Sequence, residues 1–121
     1  MEYTSCKLVE SENFPGVRLA IRRVSFGRRI ELLKQVRELA AKVEYLEASQ
    51  DPREKLEASL LACELDRIFI LWGLEGVEGL EIDGQPATPE SLVKFGPELL
   101  CREALEAIKR ELGLSEAEEK N

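Results

Sequence analysis

The chain has 121 residues, of which 24 are acidic and 17 are basic, so its formal net charge is −7, and it contains no histidine. This length fits one domain over residues 1–121, and a hydrophobic share of 44% is too high for a disordered tail. Three cysteines are too few for a disulfide scaffold, no apolar run approaches the roughly 18 to 20 residues of a membrane span, and the first four residues (MEYT) do not resemble a secretory signal.

The N-terminal quarter predicts an antiparallel β-hairpin. Residues 3–9 alternate as a short strand, and Pro15-Gly16 is a turn signal at the end of a polar loop. Residues 17–24 alternate as a second strand, whose inward face consists of Val17, Leu19 and Ile21.

Two long helices follow the hairpin. Ser25 is a predicted N-cap for a helix over 26–48, in which one apolar stripe steps by four and three residues: Leu32, Val36, Leu39, Val43 and Leu46. Asp51 and Pro52 are a cap and a first helical residue for a helix over 52–72. The stripe of this second helix consists of Leu61, Leu65, Ile68 and Trp72.

The end of the second helix, residues 68–72, is apolar on every side and must therefore be surrounded. Burial in the core is one explanation. Contact with a partner is the other, because aromatic side chains are favoured interface anchors. Phe69, Trp72 and Leu74 are therefore candidate interface residues.

The C-terminal half predicts short elements and one more long helix. Asp83-Gly84 is a tight-turn signal, so a third short strand is expected near 77–83. A brief helix over 89–95 and a long one over 97–112 follow, with Gly113 at the helix end and a frayed tail over 115–121. The inward face of the long helix consists of Leu100, Ala104, Leu105, Ile108 and Leu112. The predicted fold is α+β and mainly α, with the hairpin packed on a bundle of the three main helices.

Charge is unevenly distributed along the chain. Residues 18–42 have a net charge of +6, residues 1–17 of −2 and residues 43–121 of −11. An acidic chain disfavours nucleic-acid binding, which needs a basic footprint. The basic strip is explained either by solvated faces and internal ion pairs or by docking on an acidic partner or a neighbouring copy, with Arg28 and Arg29 as candidate interface residues.

No pattern of residues predicts catalysis, a cofactor or a metal. Cys6, Cys63 and Cys101 are far apart, so we expect three reduced, buried cysteines. The acidic set at positions 75, 78, 81 and 83 matches no calcium-loop spacing and is better explained as a solvated edge. Without histidine, the commonest general base is missing.

Six ordered strings are spread along most of the chain and together resemble the tail assembly chaperones of long-tailed phages and prophages. They are residues 14–17 (FPGV), 25–32 (SFGRRIEL), 71–74 (LWGL), 79–84 (GLEIDG), 96–100 (GPELL) and 113–116 (GLSE), with KN at the chain end. The resemblance is to an overall pattern and implies no individual site residue.

The resemblance implies a non-enzymatic protein of the bacterial cytoplasm that needs no cofactor. Such chaperones bind the tape-measure protein, keep it soluble and help recruit tail-tube subunits, so these two proteins are the expected partners. Self-association is a further expectation, with the basic strip of one copy on the acidic part of the next. Nucleic acid and membrane are not expected partners. The alternative is a structural component of the virion, such as a head–tail connector or a tail-completion protein.

Overall fold

The computed structural model describes residues 1–113, so the tail predicted over 115–121 lies outside the described residues. The described chain is α+β and mainly helical, which confirms the predicted fold class; it has a three-stranded antiparallel sheet in place of a two-stranded hairpin, and four helices, two of them long. The elements in chain order are β1 (Cys6–Glu10), β2 (Arg18–Arg22), α1 (Phe26–Glu47), α2 (Pro52–Gly73), β3 (Leu74–Glu78), β4 (Glu81–Ile82), β5 (Gln85–Pro86), α3 (Pro89–Phe95) and α4 (Glu98–Glu111).

The helix boundaries follow from local capping chemistry. Ser25 Oγ accepts a hydrogen bond from the backbone N–H of Arg28 at 3.2 Å, which fixes the start of α1. Asp51 Oδ1 accepts one from the backbone N–H of Arg53 at 2.9 Å at the start of α2. Thr88 begins α3 with a capping box. Each predicted helix is confirmed to within one residue at both ends.

The chain packs as two compact units. The first combines residues 1–24 with the chain from Ile70 onward, and it holds the sheet, the β4–β5 hairpin, α3 and α4. The second consists of residues 25–69 and holds α1 and most of α2. The prediction of a single domain over 1–121 stays a prediction.

In the first unit, β2 is the central strand and pairs antiparallel with β1 on one side and β3 on the other. The predicted inward face of β2 is confirmed, with Leu19 and Ile21 at most 1% exposed. β1 begins at Cys6, three residues later than predicted, and the third strand begins at Leu74 instead of near residue 77. A cross-strand ion pair joins Arg18 to its register partner on β3 at 3.4 Å.

A tight hairpin connects β4 and β5 at the predicted Asp83-Gly84 turn. Both residues have positive φ, 52° at Asp83 and 81° at Gly84. A two-residue hairpin turn requires this conformation if its twist is to match the right-handed twist of the flanking strands. The β4–β5 ladder is a separate two-stranded sheet, in which Glu81 pairs with Pro86 and Ile82 with Gln85, and a backbone hydrogen bond from Ala87 N–H to the Leu80 carbonyl at 3.0 Å continues the hairpin.

Helix α4 packs its apolar stripe on the sheet of the first unit. Leu100, Ala104 and Ile108 are at most 1% exposed. Polar contacts attach the loop after β1 to α4: both carboxylate oxygens of Glu103 accept hydrogen bonds, from Ser11 Oγ at 2.8 Å and from the backbone N–H of Glu12 at 2.7 Å. The long polar loop is therefore held in place by a single α4 carboxylate.

The second unit is an antiparallel helical hairpin with a short connection at residues 48–51. The predicted stripe of α1 is confirmed, because four of its five residues are buried and Leu39 is half-buried. Ala58 is 1% exposed and marks the inward side of α2. The Lys42 ammonium lies 3.9 Å from the carboxylate of Glu57, which joins the two helices across the hairpin.

We expect Gly79→Ala to destabilise the first unit more than Gly84→Ala. Both glycines have φ of +81°, which costs an L-residue about 1 kcal/mol. A Cβ at Gly79 would also lie 2.1 Å from the carbonyl oxygen of Gly16, whereas one at Gly84 would meet nothing within 4 Å. Denaturant unfolding followed by Trp72 fluorescence measures the difference; equal free energies of unfolding for the two variants would contradict this account.

Adjacent leucines of α4 give a second test of the packing. Leu100 is fully buried and Leu99 is 52% exposed. Leu100→Ala should lower the free energy of unfolding by about 2–5 kcal/mol because it leaves a cavity, and Leu99→Ala by less than about 1 kcal/mol. The same fluorescence measurement serves for both, and similar losses would show that the assigned face of α4 is wrong.

Candidate protein-interaction site

The helical hairpin carries a second apolar face on α1, which is solvent-exposed. Phe26, Ile30 and Leu33, here called the α1 face, are 84%, 41% and 56% exposed. Their spacing of four and three residues places them on one side of the helix, next to the buried stripe. Three charged residues border the α1 face, and all three are basic: Arg29, Lys34 and Arg37.

Helix α2 carries a corresponding exposed face. Leu56 and Leu60 are 73% and 62% exposed, and Cys63 one turn further on is exposed as well. These three residues, here called the α2 face, lie on the opposite side of α2 from buried Ala58. The charged residues that border the α2 face include three acidic ones: Glu57, Glu64 and Asp66.

Half of the exposed large apolar side chains belong to this hairpin, where they repeat along the helices. Of the twelve large apolar side chains that are exposed in the described chain, six belong to residues 25–69: Phe26, Ile30, Leu33, Tyr45, Leu56 and Leu60. Isolated exposed leucines are ordinary, but apolar side chains that repeat along one side of a helix indicate a contact surface. The α1 and α2 faces are therefore the strongest candidate interaction sites in residues 1–113.

The five interface residues predicted from the sequence are not brought together on one exposed surface. Trp72 and Leu74 are buried, at 8% and 1% exposure, and Phe69 is half-buried. Arg28 is half-buried and forms an ion pair with the carboxylate three residues later at 3.6 Å. Arg29 is exposed and lies at the border of the α1 face.

Sequence reasoning missed both exposed faces, although their signal was present. The α1 face has the same four-and-three spacing as the buried stripe. Leu33 of the face directly follows Leu32 of the stripe. When a helix is assumed to have a single apolar stripe, only the buried stripe is assigned, and the remaining positions of the helix are taken as polar surface. A second apolar set on the same helix was the signal to look for.

The basic strip over residues 18–42 contributes in part to ion pairs within the chain. Arg18, Arg28 and Lys42 each lie within 4.0 Å of a carboxylate, at 3.4, 3.6 and 3.9 Å. All three pairs are exposed enough that each contributes little stability. The internal ion pairs considered from the sequence thus exist, and other basic residues of the strip border the α1 face.

Two of the three cysteine thiols, those of Cys6 and Cys101, have environments that disfavour nucleophilic chemistry. Partial burial, with Glu75 accepting a hydrogen bond from the thiol, raises the pKa of Cys6. Burial and the nearby charge of Glu98 raise the pKa of Cys101. A raised pKa lowers the thiolate fraction at neutral pH. The prediction of three buried cysteines is wrong: Cys63 is exposed on the outer side of α2, and Cys6 and Cys101 are half-buried.

The first unit contains a groove of about 230 Å³ between the strands and α4. Val9, Leu19 and Ala107 contribute to its apolar lining. The carboxylate at its rim, Glu103, is already engaged by the loop after β1. Ligand pockets usually measure roughly 300–1,000 Å³, so this groove is small for a cofactor site. Within residues 1–113, no group of three potential metal-binding side chains is placed around a common centre.

Comparison of the chain with protein-family models, with curated proteins and with solved structures finds no match. None of the helices in the described part of the chain is both long enough and apolar enough to cross a membrane.

Adjacent leucines of α1 test the exposed face. Leu32 is 2% exposed and Leu33 is 56% exposed. Leu32→Ser should lower the free energy of unfolding of the helices by more than about 2 kcal/mol, because it removes core packing. Leu33→Ser should cost less than about 1 kcal/mol.

Circular dichroism during denaturant unfolding measures these losses, and retention on a phenyl column measures exposed apolar surface. Retention should fall for Leu33→Ser. Unchanged retention together with a large loss of stability for Leu33→Ser would show that Leu33 is part of the core.

Proposed function

We propose that this chain is a non-enzymatic tail assembly chaperone of a long-tailed phage or prophage, which holds the tape-measure protein during assembly of the tail tube. The single observation that supports a binding role best is the α1 face, a repeated apolar surface bordered by three basic residues. The resemblance of the ordered sequence strings to such chaperones supports the identity of the cargo.

An exposed helical face is chemically suited to a helical cargo. Amphipathic helices are recognised through apolar anchors at spacings of three and four residues, which the α1 face presents. The basic border formed by Arg29, Lys34 and Arg37 favours a cargo segment with acidic residues beside its apolar stripe. Long tape-measure proteins offer many helical turns, so a short recognition unit is able to bind repeatedly along them.

The size of the face is appropriate for reversible binding. Burying one large apolar side chain contributes roughly 1.5–3 kcal/mol, and association costs an estimated 4–15 kcal/mol. Three anchors such as Phe26, Ile30 and Leu33 therefore give weak affinity for any one cargo site. Several weak contacts that act together retain the cargo. They are released when tube subunits cover the cargo.

Co-purification with the tape-measure protein tests this proposal. Phe26→Ser with Leu33→Ser should lower the recovery of tape-measure protein at low salt by at least about ten-fold, since two of three anchors are lost. The matched control is Phe95→Ser with Leu99→Ser, which removes two exposed apolar side chains of the other unit, 63% and 52% exposed, and should leave recovery unchanged.

Failure of the unmodified chain to co-purify would contradict the proposal. Purified virions give an independent measurement, because a chaperone leaves before the tail is complete and should be absent from them. Stoichiometric presence in virions would instead favour the structural component considered above.

A further inference from the structure

We propose that the first unit binds a basic, extended segment of another protein, which adds to the sheet as a fourth antiparallel strand beside β1. β1 lies at one edge of the three-stranded sheet, and within residues 1–113 no strand pairs with its outer side. The unpaired N–H and C=O groups of such an edge can bind a further extended chain. Three features beside β1 determine which chain fits: its backbone groups, a groove and the neighbouring charges.

The free backbone groups of the edge belong to every second residue of β1. The N–H of Arg23 donates to the carbonyl of Ser5 at 2.7 Å, and the N–H of Ser11 donates to the carbonyl of Val17 at 2.9 Å. Because these directions alternate along an antiparallel ladder, the odd-numbered residues of β1 bond to β2. The residues whose N–H and C=O groups point to the open edge are therefore Cys6, Leu8 and Glu10.

The groove between the strands and α4 provides space for one side chain of the added strand. Its apolar lining includes Val9 and Ala107, and its volume is about 230 Å³. An apolar cavity of about 150 Å³ holds a benzene molecule, so a side chain as large as phenylalanine fits. The added residue opposite Val9 points to the α4 side, as Val9 does. This position therefore selects a bulky apolar residue.

A row of alternating charges on the other face of the sheet selects a basic residue. The row consists of Glu78, Arg18 and Glu10, which are register partners on β3, β2 and β1. Arg18 is paired with Glu78 at 3.4 Å, and the row ends with the exposed Glu10 at the open edge. Opposite charges on directly opposed residues of neighbouring strands are stabilising. The added residue opposite Glu10 is therefore lysine or arginine.

The other charges of the groove favour the same sign. Four carboxylates and two guanidinium groups line it, so their net charge is −2, and a cationic segment is complementary to it. The next row of the sheet is apolar, with Leu8, Ala20 and Gly76 as register partners, and Leu8 is 51% exposed. A β-branched apolar residue opposite Leu8 would cover this side chain.

The direction of the added strand follows from the sheet. All of its strand pairs are antiparallel, and antiparallel pairing is slightly more stable per residue than parallel pairing. An added strand that runs opposite to β1 meets Glu10 first, then Val9, then Leu8. The segment therefore has the order basic, bulky apolar, β-branched from its N-terminus.

N-methylated peptides test the backbone pairing on the unmodified protein. The probe is the hexapeptide TKFVTT, acetylated and amidated, whose valine pairs with Leu8 and whose phenylalanine lies opposite Val9. N-methylation of the valine removes the donor to the Leu8 carbonyl and should weaken binding at least about ten-fold. N-methylation of the phenylalanine, whose N–H points to solvent, should change the affinity by less than about three-fold.

Backbone amide NMR of the full chain measures these affinities, and the Leu8 and Glu10 amide signals should shift downfield on binding. The peptide TFKVTT has the same composition but moves the phenylalanine off the groove face, so it should bind at least about five-fold more weakly. Equal losses for the two N-methylated peptides, equal affinity of TFKVTT and TKFVTT, or no binding of TKFVTT up to about 5 mM would overturn the proposal.

Variants of β1 test the same contacts from the protein side. Leu8→Pro removes an N–H that β2 does not use, so the edge strand tolerates it, and it should lower the affinity for TKFVTT at least about ten-fold. The matched control, Leu8→Thr, keeps the N–H and should stay within about three-fold of the unmodified chain. Equal losses for these two variants would contradict strand addition. If Leu8→Pro folds poorly, the N-methylated peptides decide.

The charge contact has its own comparison. The unmodified chain should prefer TKFVTT over TQFVTT by about three-fold, and Glu10→Gln should bind both peptides with nearly equal affinity. A preference that Glu10→Gln leaves unchanged would overturn the register.

This inference is independent of the proposed function. The α1 face belongs to the other unit and is suited to a helical cargo, whereas the β1 edge takes extended backbone. Peptide binding without recovery of the tape-measure protein would contradict the proposed function alone. Recovery of the tape-measure protein without peptide binding would contradict strand addition alone.

Discussion

Two helices packed side by side can bury only one stripe of each, and the α1–α2 hairpin has two apolar stripes on each helix. The stripe of α1 that contains Leu32 and Val36 is buried, and Ala58 marks the buried side of α2. The second stripes then have no surface within the hairpin to pack on, and they are exposed as the α1 and α2 faces. This geometric limit explains why a chain with net charge −7 has apolar side chains that repeat along the exposed sides of the two hairpin helices.

The first unit solves the same packing problem differently. The central strand of its sheet, β2, has buried side chains. Helix α4 covers them with an apolar stripe whose central residues are completely buried. The carboxylate of Glu103 then fixes the one long loop by two hydrogen bonds. Glycines occur where backbone segments approach closely, as at Gly79 beside the Gly16 carbonyl. This unit therefore packs the apolar stripe of α4 on its own sheet, and the candidate cargo-binding surface lies in the hairpin.

Local chemistry made the helices predictable, because three of the four have a capping residue, Ser25, Asp51 or Thr88, and α4 has a strong apolar stripe. The strands were less predictable: β1 begins late, and the third strand begins at Leu74, directly after α2, because its pairing with β2 depends on distant contacts that periodicity does not encode. The candidate site was the least predictable feature. Trp72 is a typical interface residue by type but is buried, whereas the exposed set required knowing which stripe the partner helix had already covered.

Hydroxyl-radical footprinting of the side chains tests the central claim, that the second stripes of the hairpin are contact surfaces, most directly. Labelling of the exposed hairpin side chains should be high in a dilute solution of the protein. It should fall when the protein is concentrated or when tape-measure protein is added. The side chains to follow are Phe26, Leu33, Leu56 and Leu60. Phe95 and Leu99 of the other unit, which are also exposed, should label equally throughout. Labelling of the hairpin side chains that stays high in concentrated chain and with tape-measure protein present would contradict the account.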